Sequence, residues 1–150
     1  MNSVDGMTYV SFSIAGHYFG LRASEVEEVV MAPEITGVPL APEYLSGLIN
    51  LRGQIIPALR GCVLLGLPEN AQGELVSLIL RLKSGLVGLQ VDRIGDVLQV
   101  ERDSCEAVPG NLSPALKQSL KGIYRTGGRL LLELDGSALE PAALPETNRN

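Results

Sequence analysis

The chain has 150 residues, of which 45% are hydrophobic and 19% charged, and a formal net charge of −5. That length holds one domain or two very small ones, and the apolar share excludes a disordered chain. The acidic balance, the lack of any basic cluster and the scarcity of aromatics exclude nucleic acid and an anionic membrane surface as partners.

Seventeen glycines and nine prolines punctuate the chain at short intervals, the pattern of many turns between short strands. Met1 to Gly6 has neither the basic region nor the apolar core of a signal peptide. Residues 7–22 read as a hairpin: Tyr9 to Ile14 alternates into a turn at Ala15-Gly16, and His17 to Leu21 returns. Ser24 to Val30 follows as a capped bend or single helical turn leading into a strand. Next come Gly47 to Leu51, a turn at Arg52-Gly53-Gln54, and Ile55 to Leu59, a second hairpin with an arginine at its tip. Gly53 supplies the positive φ that a tight hairpin turn needs. Pro57 lacks an N–H, which predicts an edge strand or a bulge there. Gly66 to Gly73 is a polar junction loop.

A third hairpin spans Val76 to Leu89 around Lys83-Ser84-Gly85, and Asp92 to Leu98 forms another bend and strand. Ser113-Pro114, with Leu116 and Leu120 four apart and Gly122 at the end, predicts a short amphipathic helix. Leu120 to Ile123 and Arg129 to Leu134 make a last hairpin, and residues 141–150 read as a flexible, frayed tail with little to bury. No apolar run approaches the ~18 residues of a membrane span. Cys62 and Cys105 form no C-x-x-C pair and read as unpaired small hydrophobes. Together these features predict a cytoplasmic protein.

The order of segments repeats. Shifted by 68, Gly20-Leu21 falls on Gly88-Leu89, Ser24 on Asp92, Val26 on Ile94, Glu28 on Asp96, and Val29-Val30 on Val97-Leu98. Shifted by 75, Leu45 to Leu48 falls on Leu120 to Ile123, and Gln54 to Leu59 on Arg129 to Leu134. The chain is therefore an internal repeat over residues 7–140, one unit at 7–65 and the other at 74–140. Each unit has about five short strands, a number that usually closes into a small barrel. The expected fold is all-β, two five-stranded barrels side by side with a few short helices.

Chemistry-bearing residues are sparse. His17 is the single histidine, so no Ser–His or Cys–His nucleophile pair exists, and His17, Cys62 and Cys105 match no metal-ligand spacing. Asp92 with Asp96, and Glu25 with Glu27 and Glu28, could do acid–base work; a backbone-capping role fits better, because both units place an acid at the same bend. No glycine-rich loop opens a long helix. No enzyme, cofactor or metal is expected.

Asn50-Leu51-Arg52-Gly53 followed by Gln54-Ile55-Ile56-Pro57 resembles the most characteristic motif of the CheW-like family. Tyr18-Phe19-Gly20-Leu21 with Val26 to Val29, and Val87 to Asp92 with Asp96-Val97-Leu98, resemble that family too, in the same order over residues 7–140. The resemblance implies two SH3-like barrels, no catalytic activity, and a free-standing coupling protein. Such proteins bridge the cytoplasmic tips of methyl-accepting chemoreceptors to the regulatory domain of the histidine kinase CheA. It implies recruitment to membrane receptor arrays through partners, without membrane insertion.

Carried over residue by residue, Glu28, Arg52 and Gly53 match positions tied to partner binding. Arg52 offers a planar fork that can hold Glu28 and still donate elsewhere; the plainer alternative is a pair that only fixes the hairpin. Val26, Val29, Val91 and Val97 are candidates for an apolar groove that would receive a helical receptor tip, with barrel core as the alternative for each. The chain departs from the family at Arg60-Gly61-Cys62, where Asp-Leu-Arg is usual. The reversed charge at Arg60, and a Gly61 expected to loosen the strand end, raise the alternative of a non-standard chemosensory system with altered partners, governing surface motility, pili or second-messenger output.

Overall fold

The computed structural model describes residues 6–69 and 76–140. It is built almost wholly of strands: β1 (Gly6–Ile14), β2 (His17–Arg22), β3 (Val26–Met31), β4 (Ile35–Thr36), β5 (Leu45–Leu51), β6 (Gln54–Arg60), β7 (Val76–Leu82), β8 (Gly85–Val91), β9 (Arg93–Glu101), β10 (Cys105–Glu106), β11 (Leu120–Thr126) and β12 (Arg129–Leu134). Two five-residue helices, α1 (Gly61–Leu65) and α2 (Pro114–Gln118), and three single 3-10 turns complete it. The all-β expectation therefore stands. The predicted frayed tail at 141–150 and part of the predicted junction loop lie outside the described residues.

Local chemistry sets the hairpins. Ala15-Gly16 have φ of 51° and 81°, Arg52-Gly53 52° and 89°, and Gly127-Gly128 57° and 78°. Two successive positive φ values match the two-residue hairpin turn whose twist suits paired strands. The helix after Ser113-Pro114 forms as expected. The Ser113 hydroxyl accepts from the Leu116 N–H at 3.2 Å, and Leu116 is buried. It stops at Gln118, short of Gly122, because Leu120 is already paired with Leu134 in β11–β12.

The strands form two sheets of six, each counting one two-residue strand. Their orders are β10-β11-β12-β2-β1-β9 and β4-β5-β6-β8-β7-β3. Neither sheet is a contiguous half of the chain. The first hairpin, β1–β2, joins β9 to β12, and the third, β7–β8, joins β3 to β6. The repeat units at 7–65 and 74–140 thus exchange hairpins, and contiguous units do not each build their own sheet.

The exchange is symmetrical to the residue. Parallel pairing sets Glu133 opposite Gly20 in one sheet and Ala58 opposite Gly88 in the other. Those are the 75- and 68-residue offsets of the sequence repeat. The bulge between Val10 and Phe12 against β9 recurs between Val26 and Glu28 against β7. Gly20 and Gly88 are both close-approach positions. A Cβ on the first would meet Leu131 at 3.1 Å, and one on the second would meet Ile49 at 3.1 Å.

Pro57 is on an internal strand, so of the edge or bulge expected from its missing N–H the edge does not hold, while the β5–β6 register does shift beside it, between Leu45 and Gly47 opposite Leu59 and Ala58. The ladder from β6 to β8 begins one residue later, at Ala58. Gly61 does not loosen the strand end either. It opens α1 in a buried position where a Cβ would lie 2.6 Å from the Gln90 carbonyl oxygen and 2.8 Å from Ile14 Cδ1. The main core runs between the two sheets, with Phe12, Phe19 and Leu132 from one, Leu78, Leu80 and Leu89 from the other, and Leu65 and Leu116 from the helices.

A smaller cluster of Tyr9, Val100 and Leu131 lies in the first sheet. Beside it Glu133, only 1% exposed, sits 3.4 Å from Arg22 Nε. Arg22 Nε in turn donates to the Tyr9 hydroxyl at 3.3 Å.

Candidate partner-binding surface

Arg52 occupies the first position of the β5–β6 turn with φ of 52°. Left-handed backbone is uncommon for a residue with a side chain and disfavours it relative to glycine. The other unit has Gly127 at the equivalent place, with φ of 57°. The first unit thus accepts backbone strain in order to carry a guanidinium there. Asn50 holds the turn, its Oδ1 accepting from the Gly53 N–H at 2.9 Å.

From this tip the guanidinium forks onto the Glu28 carboxylate of β3. Nη1 donates to Oε2 at 3.2 Å, and Nη2 donates to Oε1. This is the bidentate geometry that arginine suits. The Arg52 side chain is 68% exposed, so donors remain for a partner. The hydrogen bond from Arg52 holds the Glu28 carboxyl below the usual carboxylate range, and Glu28 raises Arg52. Next to this pair, Arg81 of β7 binds Glu27. The edge strand β3 therefore carries two neighbouring carboxylates, each with its own arginine.

The four candidate valines separate. Val29 is 38% exposed on β3 and Val97 67% exposed on β9. These are repeat-equivalent positions on the edge strands of different sheets. Val26 is half-buried and packs on the main core. Val91 is 1% exposed. It closes β8, an internal strand, and presents no surface to a partner, so the core alternative holds for it. Ile55, 58% exposed just past the Arg52 turn, is an apolar surface residue that the motif reading passed over. Asn50 was readable in principle, since an asparagine three residues before a turn glycine is a local capping signal.

Arg60, the residue that departs from the family pattern, pairs with Glu69 at 2.8 Å. It stands at the N-cap of α1 and makes no side-chain cap. Its repeat equivalent, Asp135, caps the 3-10 turn Gly136–Leu139 by accepting from the Ser137 N–H at 3.0 Å. Of the acids at the two bends, Asp92 caps backbone, its Oδ2 accepting from the Ala15 N–H at 2.8 Å, whereas Glu27 and Glu28 pair with arginines. Glu140 also caps backbone, accepting from the Lys83 N–H at 2.7 Å and the Ser84 N–H at 3.2 Å, across the β7–β8 turn.

Cys62 and Cys105 are both free. Among the described residues no three His, Cys, Asp or Glu side chains gather as a metal site, and no helix is long and apolar enough to cross a membrane. A cavity of about 480 Å³ opens between α1, α2 and the last 3-10 turn, lined by Tyr44, Val63, Leu64, Ala115 and Leu139 among others. None of the candidate residues borders it.

Comparison with known proteins gives a consistent result. The model of the CheW-like domain matches residues 8–142. The chain is 32% identical to the chemotaxis protein CheW of Thermotoga maritima, over 84% of this chain and 82% of that protein. It is 30% identical to the chemotaxis protein CheW of Rhizobium meliloti, over 87% and 86%. The crystal structure of the scaffolding protein TtCheW from Thermoanaerobacter tengcongensis superposes with a TM-score of 0.78 at 28% identity, covering 86% of this chain and 88% of that one.

Proposed function

The chain belongs to the CheW-like family, and from that premise we propose that it is a non-catalytic adaptor coupling chemoreceptor cytoplasmic tips to the regulatory domain of a CheA-type histidine kinase. The observation that carries this reading is a family match over residues 8–142, nearly the whole chain, with the Arg52 turn intact. An adaptor works by holding two surfaces in fixed relation, and a rigid β scaffold with few loops suits that task. On this reading the protein acts in the cytoplasm and reaches the membrane through its receptor partners.

Glu28, Arg52 and Gly53 form the polar centre of the partner surface, with Val29 and Val97 as apolar contacts on the two edge strands. Arg52 is fixed on one side by Glu28 and open on the other. A partner meets it already oriented, which lowers the ordering cost of binding.

The alternative of altered partners rested on the reversed charge at Arg60. That charge is matched within the chain by Glu69, so the adaptor reading takes precedence. Co-sedimentation with receptor tips and a CheA-type regulatory domain from the same genome tests it. Binding to both, lost in Arg52→Glu, is the expected result; binding to neither overturns it.

A further inference from the structure

The loop after β4 displays a leucine in a way that folding does not reward. Leu40 is 96% exposed and has φ of 62°. It is the third residue of a turn closed by the Ala41 N–H donating to the Val38 carbonyl at 3.2 Å. Pro39 precedes it with the negative φ that its ring imposes, so the turn is of the type that calls for glycine or asparagine at the place Leu40 fills. A leucine in left-handed backbone is a true outlier. Full exposure means that its side chain returns nothing to the core. The other unit sets Val108-Pro109-Gly110 at the same distance after β10, with glycine where the first unit has Leu40.

The display is rigid as well as exposed. Pro39 fixes one side, and on the other the Leu45 N–H donates to the Pro42 carbonyl at 3.0 Å in a second turn. Gly37 to Pro42 carry no charge, while Glu34 and Glu43 flank them, both exposed. The tip is thus an aliphatic knob on a segment that an exposed glutamate precedes and another follows in the chain.

We propose that Leu40 is a docking anchor, inserted into an apolar socket with a basic border on a protein partner. A held aliphatic tip loses little freedom on binding, which is how a single side chain becomes dominant in an interface. The flanking acids and the net charge of −5 turn the loop away from anionic lipid. As to which protein supplies the socket, the inference rests on the adaptor reading; as to the purpose of Leu40, it does not.

The test compares wild type with Leu40→Asn, which keeps the turn and removes the knob, and with Leu40→Gly. Binding to receptor tips and to the kinase regulatory domain is measured by interferometry, and thermal melting is followed for each variant. The expected result is melting no lower than wild type together with at least tenfold weaker binding to one of the two partners. Unchanged binding to both overturns the anchor. Should the wild-type chain bind neither partner, the adaptor reading falls and melting alone decides: variants as stable as wild type support a residue kept for contact, and variants of lower melting temperature show that Leu40 serves the fold, which overturns it.

Discussion

Arg52 and Glu28 are joined by two hydrogen bonds although their strands are not neighbours in the sheet. Between β3, which carries Glu28, and β6, which leaves the Arg52 turn, lie β7 and β8. In a flat sheet three strand spacings would put them roughly 14 Å apart. The pair therefore reaches past the two intervening strands and ties the β3 edge to the tip of a distant hairpin.

Arg52→Glu is expected to keep the fold and lose partner binding. The pair is exposed, and exposed pairs add little to stability, so the melting temperature should stay within about 3 °C of wild type. Binding should fall at least about tenfold. The double variant Glu28→Arg with Arg52→Glu, which restores the pair with reversed polarity, should melt like wild type and still not bind. Recovery of binding would assign the pair to the hairpin alone.

Glu140 gives a pH signature. Hydrogen bonds from Ser84 and Lys83 hold its carboxyl below the ordinary value. A carboxyl lowered by folding contributes fully above its unfolded pKa, and the contribution is lost as pH falls through the lower folded value. Urea unfolding from pH 7 down to about pH 3 should show a shallower acid loss in Glu140→Gln than in wild type. Glu28, lowered by Arg52, acts in the same direction, so the two single variants should each remove part of the acid dependence. An unchanged acid limb in both would contradict this.

Arg60→Asp should be at least as stable as wild type, and Arg60→Ala less stable. Aspartate would cap α1 as Asp135 caps the equivalent turn, a gain of about 1 kcal/mol set against loss of the Glu69 pair. Alanine loses the pair and caps nothing. Chemical denaturation of the three proteins at neutral pH decides the order.

Arg22→Leu should be costly. Glu133 is buried, and Arg22 is its one ion-pair partner among the described residues. Removing one member of a buried pair leaves an uncompensated charge, with losses of about 3 kcal/mol or more. Burial also pushes the Tyr9 hydroxyl well up, with Glu133 adding to the shift. The hydroxyl therefore stays neutral and supplies no positive charge to balance Glu133. The double variant Arg22→Leu with Glu133→Leu should recover much of the loss.

The repeat in the sequence anticipated more of the fold than its strands did. Offsets of 68 and 75 return as the register of Gly88 on Ala58 and of Gly20 on Glu133. Likeness between segments does not say which segments pair, so the exchange of hairpins was not legible. A five-residue helix such as α1 is too short to leave a periodic trace. Gly61 carries no local sign that the Gln90 backbone lies against it. Among the site residues, the motif led to Glu28 and Arg52, which do meet. Val91 and Val97 look alike in sequence and differ in the face they present, Val91 to the core and Val97 to solvent; the edge position of β9 does not decide it, since Val100 of the same strand is buried. Asn50 stands in the motif without a stated role and Leu40 lies outside it, because the significance of each lies in the backbone conformation of a turn.

The hairpin exchange governs how the chain can be made. β1 pairs with β9, Met7 lying opposite Val100, and β2 pairs with β12. On the ribosome the first hairpin emerges long before the strands that flank it, and at about 5–20 residues per second it waits several seconds. During that interval Phe12, Phe19 and Leu21 have no sheet to cover them. Neither half can ripen alone, so assembly is deferred until nearly the last strand has been synthesised, the slow route expected where most pairing is distant in sequence.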